Sequence, residues 1–322
     1  MKLPRLARAV LALIGWSLAL NVWAFGERPM RLIVPAPPGG TMDIVARVLG
    51  QQMSIDIGRP VIVENRPGAG GSIGLQAMLQ SAPDGNTIVM AASTVMAETP
   101  LVMKTPYDPL KDLVPIATVA RSGVVLVSAA NYPAKDFTSL IAQLKTRIGK
   151  SSFASYSPGT VSQYAGLILS ERGGLQMQHV GYAGSPPALQ DLLGGQVDVM
   201  FDGMVTSMPL IKGGKLRPYA FSGKTRSKYL PDVPTMTELG YPELQFQGWV
   251  GFIGSSKLPA DVLAKLHAII EKAAQAPTVQ QKLSDVGLEP ELSVDTPALL
   301  SETRKLSERN AAIVKKFDIQ AN

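Results

Sequence analysis

The chain has no cysteine, two histidines (His179 and His267) and only 6% aromatic residues in a length of 322. Without thiols there is no disulfide framework, thiolate zinc site, iron–sulfur cluster, cysteine nucleophile or lipid-bearing cysteine. The two histidines lie too far apart in sequence for a local metal motif, so neither metal nor cofactor is expected. The pattern G-x-G-x-x-G is absent, which leaves a nicotinamide site unsupported. Charge is sparse at 17%, with 31 cations against 25 anions. No basic run carries interleaved aromatics, so nothing points to nucleic acid. Long apolar runs are also missing beyond the N-terminus: the best, Val124 to Ala130, is far short of the roughly 20 residues that span a bilayer.

The exception is the first stretch, MKLPRLARAVLALIGWSLALNVWA. Lys2, Arg5 and Arg8 precede an apolar run from Ala9 to Leu20, and Val22 and Ala24 are small residues placed for cleavage after Ala24. This reads as a secretory signal peptide over residues 1–24. Its removal takes three cations and no anion, lowering the formal charge from +6 to +3. The expected product is soluble and exported.

From there on, short apolar runs alternate with helical patterns, the signature of a parallel or mixed sheet with crossover helices. Strands are predicted at residues 32–34, 61–63, 87–91, 116–120, 124–127, 152–155, 177–180, 197–201, 216–221 and 249–253. Phe137, Leu140, Ile141, Leu144 and Ile148 form one helical stripe that Gly149 ends. Beyond Pro259 the pattern is wholly helical. The runs at 124–127 and 249–253 bracket a middle α/β block. If both cross between lobes, residues 25–127 and 245–322 form a discontinuous first lobe, and residues 128–244 form the second. A ligand would then sit in the cleft between them.

The clearest local signal is RLIVPAPPGGTMDIVARVL. A strand runs into Pro37-Pro38-Gly39-Gly40, and a helix opens at Thr41 with Asp43 in its first turn. Glycines let backbone N–H groups approach a ligand, and a helix N-terminus adds unsatisfied donors and partial positive charge, so the loop suits a carboxylate or phosphate. It equally suits a plain turn and helix cap. Ser157-Pro158-Gly159-Thr160 repeats the chemistry after a strand in the middle block. Asp202 stands at the C-terminal end of a strand, as a cleft residue or a turn aspartate. Tyr182-Ala183-Gly184-Ser185 reaches the cleft rim, and Ser93 and Thr94 can donate hydroxyls or cap a helix.

Two catalytic patterns compete. Gly70-Gly71-Ser72-Ile73-Gly74 matches G-x-S-x-G, and a secreted serine hydrolase using Ser72 is the alternative reading. The segment lies several residues past the strand rather than at its end, and His267, on a helical apolar stripe, is a poor base. Ser222-Gly223-Lys224-Thr225 resembles the end of a phosphate-binding P-loop, but Pro218 stands where its first glycine belongs.

Taken in order, RLIVPAPPGGTMDIVAR, VIVENRPGAGGSIG, YDPLKDLVPIA, YSPGT, GYAGSPPALQDLLGGQVDVMFDG, KGGKLRPYA and LPDVPTMTELG resemble the tripartite tricarboxylate transporter receptor family, the exported solute-binding proteins also called the Bug family. The resemblance implies an α/β, two-lobed periplasmic binding protein, type II-like, with an interlobe ligand cleft and two hinge crossovers. It implies a non-enzymatic receptor for a small organic acid, working with a two-component membrane permease or a sensor protein; the chain itself is expected to be a monomer. It places a ligand carboxylate on Pro38, Gly39, Gly40 and Thr41 through backbone amides and water. Ser157, Gly159, Thr160 and Asp202 face it from the second lobe. Asp43, Ser93, Thr94, Tyr182 and Ala183, from their own places at strand and helix ends, complete the expected site. Relatives often carry an aromatic residue at the position of Ala36 and a lysine near Ala183. Their absence here points to a monocarboxylate or a modest dicarboxylate rather than a tricarboxylate.

Overall fold

The computed structural model describes residues 28–320, so the signal segment 1–24 and its cleavage site lie outside the described residues. The chain opens with β1 (Met30–Val34), α1 (Thr41–Ile57), β2 (Val61–Asn65), α2 (Ser72–Leu79), β3 (Thr87–Ala92), the short helices α3 (Thr94–Ala97) and α4 (Thr99–Val102), and β4 (Leu113–Ser122). A second group follows: β5 (Val124–Ala129), α5 (Phe137–Lys145), β6 (Ser152–Ser155), α6 (Val161–Gly173), β7 (Gln178–Gly181), α7 (Ser185–Leu193), β8 (Val199–Gly203), α8 (Met204–Lys212) and β9 (Leu216–Phe221). It closes with β10 (Gly248–Ser255), α9 (Ala260–Gln275), α10 (Pro277–Asp285), β11 (Glu289–Ser293) and α11 (Thr296–Phe317).

Each lobe is built on its own sheet. The first runs β11-β4-β10-β3-β1-β2 and the second β7-β6-β8-β5-β9. In both, an opening strand lies between the next two, and these three are parallel: β1 between β2 and β3, β6 between β7 and β8. The fourth strand is antiparallel and arrives from the other lobe, β10 in the first sheet and β5 in the second. A fifth antiparallel strand follows, β4 or β9. The shared order puts the loops after β1 and β6, each leading into a helix, at equivalent places.

Apolar periodicity explains the layers. On α1, Val45, Ala46, Leu49 and Met53 are buried, one stripe packed on Leu32 and Val34 of β1 and on Leu266 and Ile270 of α9. Gly58, at φ 66°, ends α1 in the left-handed region that glycine enters without strain. α5 starts with a reciprocal capping box between Asp136 and Ser139 and buries Phe137, Leu140 and Leu144. All six residues of β5 are buried, as expected of a strand hydrogen-bonded on both sides and covered on both faces.

The crossings lie side by side. β4 passes into β5 through Gly123, so Val124–Val127 belong to the second sheet and the strand crossing falls four residues before the expected boundary at 127. Ser222 ties the two crossings together. Its hydroxyl accepts from the N–H of Val124 (2.8 Å) and donates to the carbonyl of Phe246 (2.7 Å). A Cβ on Gly123 would lie 2.7 Å from that hydroxyl, so only glycine fits there without displacing it.

Two further departures come from the C-terminal part, where apolar periodicity predicts helices alone. Glu289–Ser293 forms an edge strand pairing with β4. The end of α11 also leaves the first lobe. Thr296 bonds to Pro115 of β4, whereas Ile313, Val314, Phe317 and Ile319 pack in the second lobe's core. Residues 245–322 are therefore not confined to one lobe, because apolar side chains on the last turns of α11 find burial on the other side.

Candidate functional site

A cavity of about 440 Å³ opens between the lobes. Its walls combine the loop after β1, the glycine-rich stretch 68–71, the start of α3 and the β10 entry segment from one side with the loops after β6 and β7 from the other. Among the described residues that line it there is no lysine, arginine or histidine, and Glu98 is the only acid. Trp249 also lines the cavity, and its buried indole N–H has no protein partner.

The two loops that open α1 and α6 share one construction. Gly39 and Gly159 adopt left-handed φ angles of 76° and 73°. Each gives its N–H to a side chain four residues on: Gly39 to Asp43 Oδ2 at 2.9 Å, Gly159 to Gln163 Oε1 at 2.6 Å. The side chain at the third helical position thus reaches back past the cap and holds the turn. Gly40 and Thr160 then take extended backbone as the N-cap residues.

Not every residue of the expected ligand set faces the cavity. The amides of Gly39 and Gly159 are already used, and Pro38 and Gly39 are exposed outside the cavity lining. Asp43 shapes its loop: besides Gly39 it accepts from Asn65 Nδ2 at 2.9 Å and pairs with Arg47 at 2.9 Å. Burial opposes its ionisation but is outweighed by Arg47, the Gly39 N–H and Asn65, which hold the carboxyl below its ordinary range. Asp202 is fully buried and shapes the opposite wall, accepting from Ser185 (2.5 Å), Thr206 (2.7 Å) and Ser207 (2.8 Å). Burial pushes its carboxyl up, with those hydroxyls partly offsetting the shift. A buried acid bonded in this way holds its neighbours Ser185, Thr206 and Ser207 in place.

Gly40, Thr41, Ser93, Thr94, Ser157, Thr160, Tyr182 and Ala183 do line the cavity. Thr160 turns its hydroxyl to the Ser157 carbonyl (2.6 Å), and Tyr182 gives its hydroxyl to Asp191 (2.7 Å). Gly184 and Ser185, read from the sequence at the cleft rim, line it too, whereas sequence reasoning missed Glu98 and Gly203. The two glycines have a readable physical reason: a Cβ on Gly184 would lie 2.6 Å from Pro37 Cγ, and one on Gly203 3.1 Å from Thr41 Oγ1. Gly159 behaves alike, its Cβ position being 2.2 Å from Val102 Cγ2. Three second-lobe glycines thus let the lobes close to backbone distance.

The start of α1 remains open. Among the described residues, none accepts the N–H of Thr41 or Met42, and both residues line the cavity. At α6 the first N–H is taken, because Val161 donates to Glu98 Oε2 at 2.8 Å across the cleft.

The hydrolase alternative finds no support in this geometry. Ser72 is buried at the start of α2, and its hydroxyl partner is Tyr107 (3.3 Å). His179 bonds Ser155 (2.7 Å) and Gln163 (3.2 Å) in the second lobe, and His267 lies on α9. The P-loop-like Ser222 is the hinge tie described above.

Comparison with known proteins agrees. The model of the tripartite tricarboxylate transporter family receptor matches residues 45–319. The chain is 34% identical over 282 residues to protein BugT of Bordetella pertussis, covering 87% of this chain and 86% of that one. It is 33% identical over 301 residues to the UPF0065 protein in the tcbD-tcbE intergenic region of Pseudomonas sp. strain P51, covering 93% and 89%. Among solved structures it is similar to the periplasmic binding protein BugD (30% identity, TM-score 0.85, 92% of this chain and 100% of that one). It is also similar to MatC of Rhodopseudomonas palustris with bound malate (30%, TM-score 0.79, 90% and 100%) and to R. palustris Rpa4515 with adipate (25%, TM-score 0.87, 92% and 99%). The chain belongs to the tripartite tricarboxylate transporter receptor family, and is a two-lobed solute-binding receptor rather than a serine hydrolase.

Proposed function

We propose that this receptor is exported by its N-terminal segment 1–24 and closes its two lobes on a small organic carboxylate, which it passes to a membrane permease or a sensor protein. The observation that carries this reading is the start of α1. The N–H groups of Thr41 and Met42 open a 17-residue helix onto the cavity and have no acceptor among the described residues. A carboxylate placed there meets hydrogen-bond donors and the positive end of the helix dipole. Adipate and malate in the similar solved proteins support an acid of comparable size. No helix among the described residues is long and apolar enough to cross a membrane, consistent with delivery to a separate membrane component. Closure follows from differential affinity of the ligand for the closed form.

Thr41 is the first helical residue, a position where proline is tolerated because the N–H has no helical partner. Its predecessor Gly40 already has extended angles that accept a following proline. Thr41→Pro therefore deletes one donor and leaves the helix intact, whereas Thr41→Val keeps it. In a thermal-shift and calorimetric screen of organic acids, a ligand at about 100 times its Kd adds about 2.7 kcal/mol of stability. The shift is expected in wild type and Thr41→Val and lost in Thr41→Pro. An unchanged response in Thr41→Pro, or no response by wild type to any acid, refutes the reading.

A further inference from the structure

The second helix end is occupied by the protein itself. Glu98 sits at the corner between α3 and α4 in the first lobe, and its Oε2 accepts from the N–H of Val161, the first residue of α6 in the second lobe, at 2.8 Å. Four residues later, Val102 packs against Gly159 of the same loop, where a Cβ would come within 2.2 Å of it. The α3–α4 corner thus docks twice on the α6 loop. Glu98 is only 6% exposed, yet it lines the cavity together with Thr41, Met42, Thr160 and Val161. Both helix ends therefore open on one space, the first with free N–H groups and the second already filled by a carboxyl group.

We propose that Glu98 stands in for the second carboxylate of a dicarboxylate, so that the cavity selects acids carrying a single carboxylate and a neutral far end. This rests on the carboxylate reading above and adds the class of acid. A second ligand carboxylate would lose its water, find the α6 end occupied and meet no lysine, arginine or histidine in the described lining. Its natural acceptor position is taken by a group covalently held there, which costs no ligand binding entropy. Burial moves the Glu98 carboxyl from its ordinary 4.5 up to about 8, with the Val161 N–H partly offsetting this. At neutral pH the group can thus be carried without leaving a bare charge inside the closed cleft.

The test compares acids of matched length, hexanoate with adipate, benzoate with terephthalate and butanoate with succinate, by calorimetry on wild type, Glu98→Gln and Glu98→Ala. Glu98→Gln keeps an oxygen for Val161 and should keep the preference. Glu98→Ala vacates the helix end, which the second carboxylate of a ligand can then fill. Wild type should bind the monoacid of a responding pair at least about tenfold tighter than the diacid. The ratio should stay within about threefold of that in Glu98→Gln and shift at least about tenfold toward the diacid in Glu98→Ala. Thermal unfolding of each variant checks that it is folded. A wild type that prefers diacids, or a ratio that Glu98→Ala leaves unmoved, overturns the role of Glu98 while leaving the receptor reading standing. If no acid of any pair binds wild type, the carboxylate reading falls and this inference with it.

Discussion

The loops before α1 and α6 are two copies of one device set in different surroundings. Pro38-Gly39-Gly40-Thr41-Met42-Asp43 and Pro158-Gly159-Thr160-Val161-Ser162-Gln163 both place a left-handed glycine before an extended cap, and both tie that glycine's N–H to the side chain four residues on. The first ends in free donors facing the cavity. The second is plugged by Glu98 and pressed against Val102. Local sequence therefore specifies the turn, while the tertiary neighbour decides whether it receives a ligand or closes the cleft.

The matched glycines offer the strongest way to break this comparison. A Cβ at Gly159 overlaps Val102, so Gly159→Ala must push the lobes apart, and affinity for an acid found by the screen should fall about 100-fold or more. Gly39 has the same backbone but no atom within 4 Å of its Cβ position. Gly39→Ala should cost about 1–2 kcal/mol of stability from left-handed strain and leave affinity within about threefold. Calorimetry and thermal unfolding on the two variants read both effects. Equal losses of affinity would show that the loops do not differ as described.

The side chains that tie the turns sharpen the comparison. Asp43 is charged and also holds Asn65 and Arg47, so Asp43→Ala should destabilise by about 2–3 kcal/mol, against about 1 kcal/mol for Gln163→Ala. Chemical denaturation measures both. A larger effect at Gln163 contradicts the assignment of Asp43 as the stronger clamp.

Glu98 and His179 give the difference a pH signature. Unfolded, Glu98 ionises near its ordinary 4.5; folded, burial moves it to about 8. Between those values the folded protein holds a proton the unfolded chain has lost, so this contribution is full below 4.5 and is lost as pH rises to about 8. The slope is at most about 1.4 kcal/mol per pH unit, and Glu98→Gln should flatten it. His179 acts on the acid side: burial pulls it from 6.5 to about 4, so its contribution is present above 6.5 and lost as pH falls toward 4. Denaturation midpoints from pH 4 to 9 test both slopes, and a Glu98→Gln curve parallel to wild type on the alkaline side contradicts the first.

How far the sequence shows these features depends on how local their causes are. β1 and β6, with their glycine loops and following helices, are legible because strand, turn and helix start are contiguous. β11 is not, since Glu289-Pro290-Glu291-Leu292-Ser293 lacks apolar alternation and pairs only along one edge, with β4. The crossing at Gly123 is blurred because Val124–Val127 is apolar whichever sheet it joins. Glu98 stands in Met96-Ala97-Glu98-Thr99-Pro100 as a lone acid with no motif, and its partner lies 63 residues on. Asp202 is visible as a strand-end acid, but its role depends on Ser185, Thr206 and Ser207 consuming its oxygens.

The most direct measurement follows the backbone amides of Thr41, Met42 and Val161 by nitrogen–proton NMR while the tightest acid of the screen is added. The account predicts that the Thr41 and Met42 resonances move strongly downfield as they acquire an acceptor, while Val161, already bonded to Glu98, keeps its bonded shift. Movement confined to Val161, with Thr41 and Met42 unchanged at saturation, would contradict it.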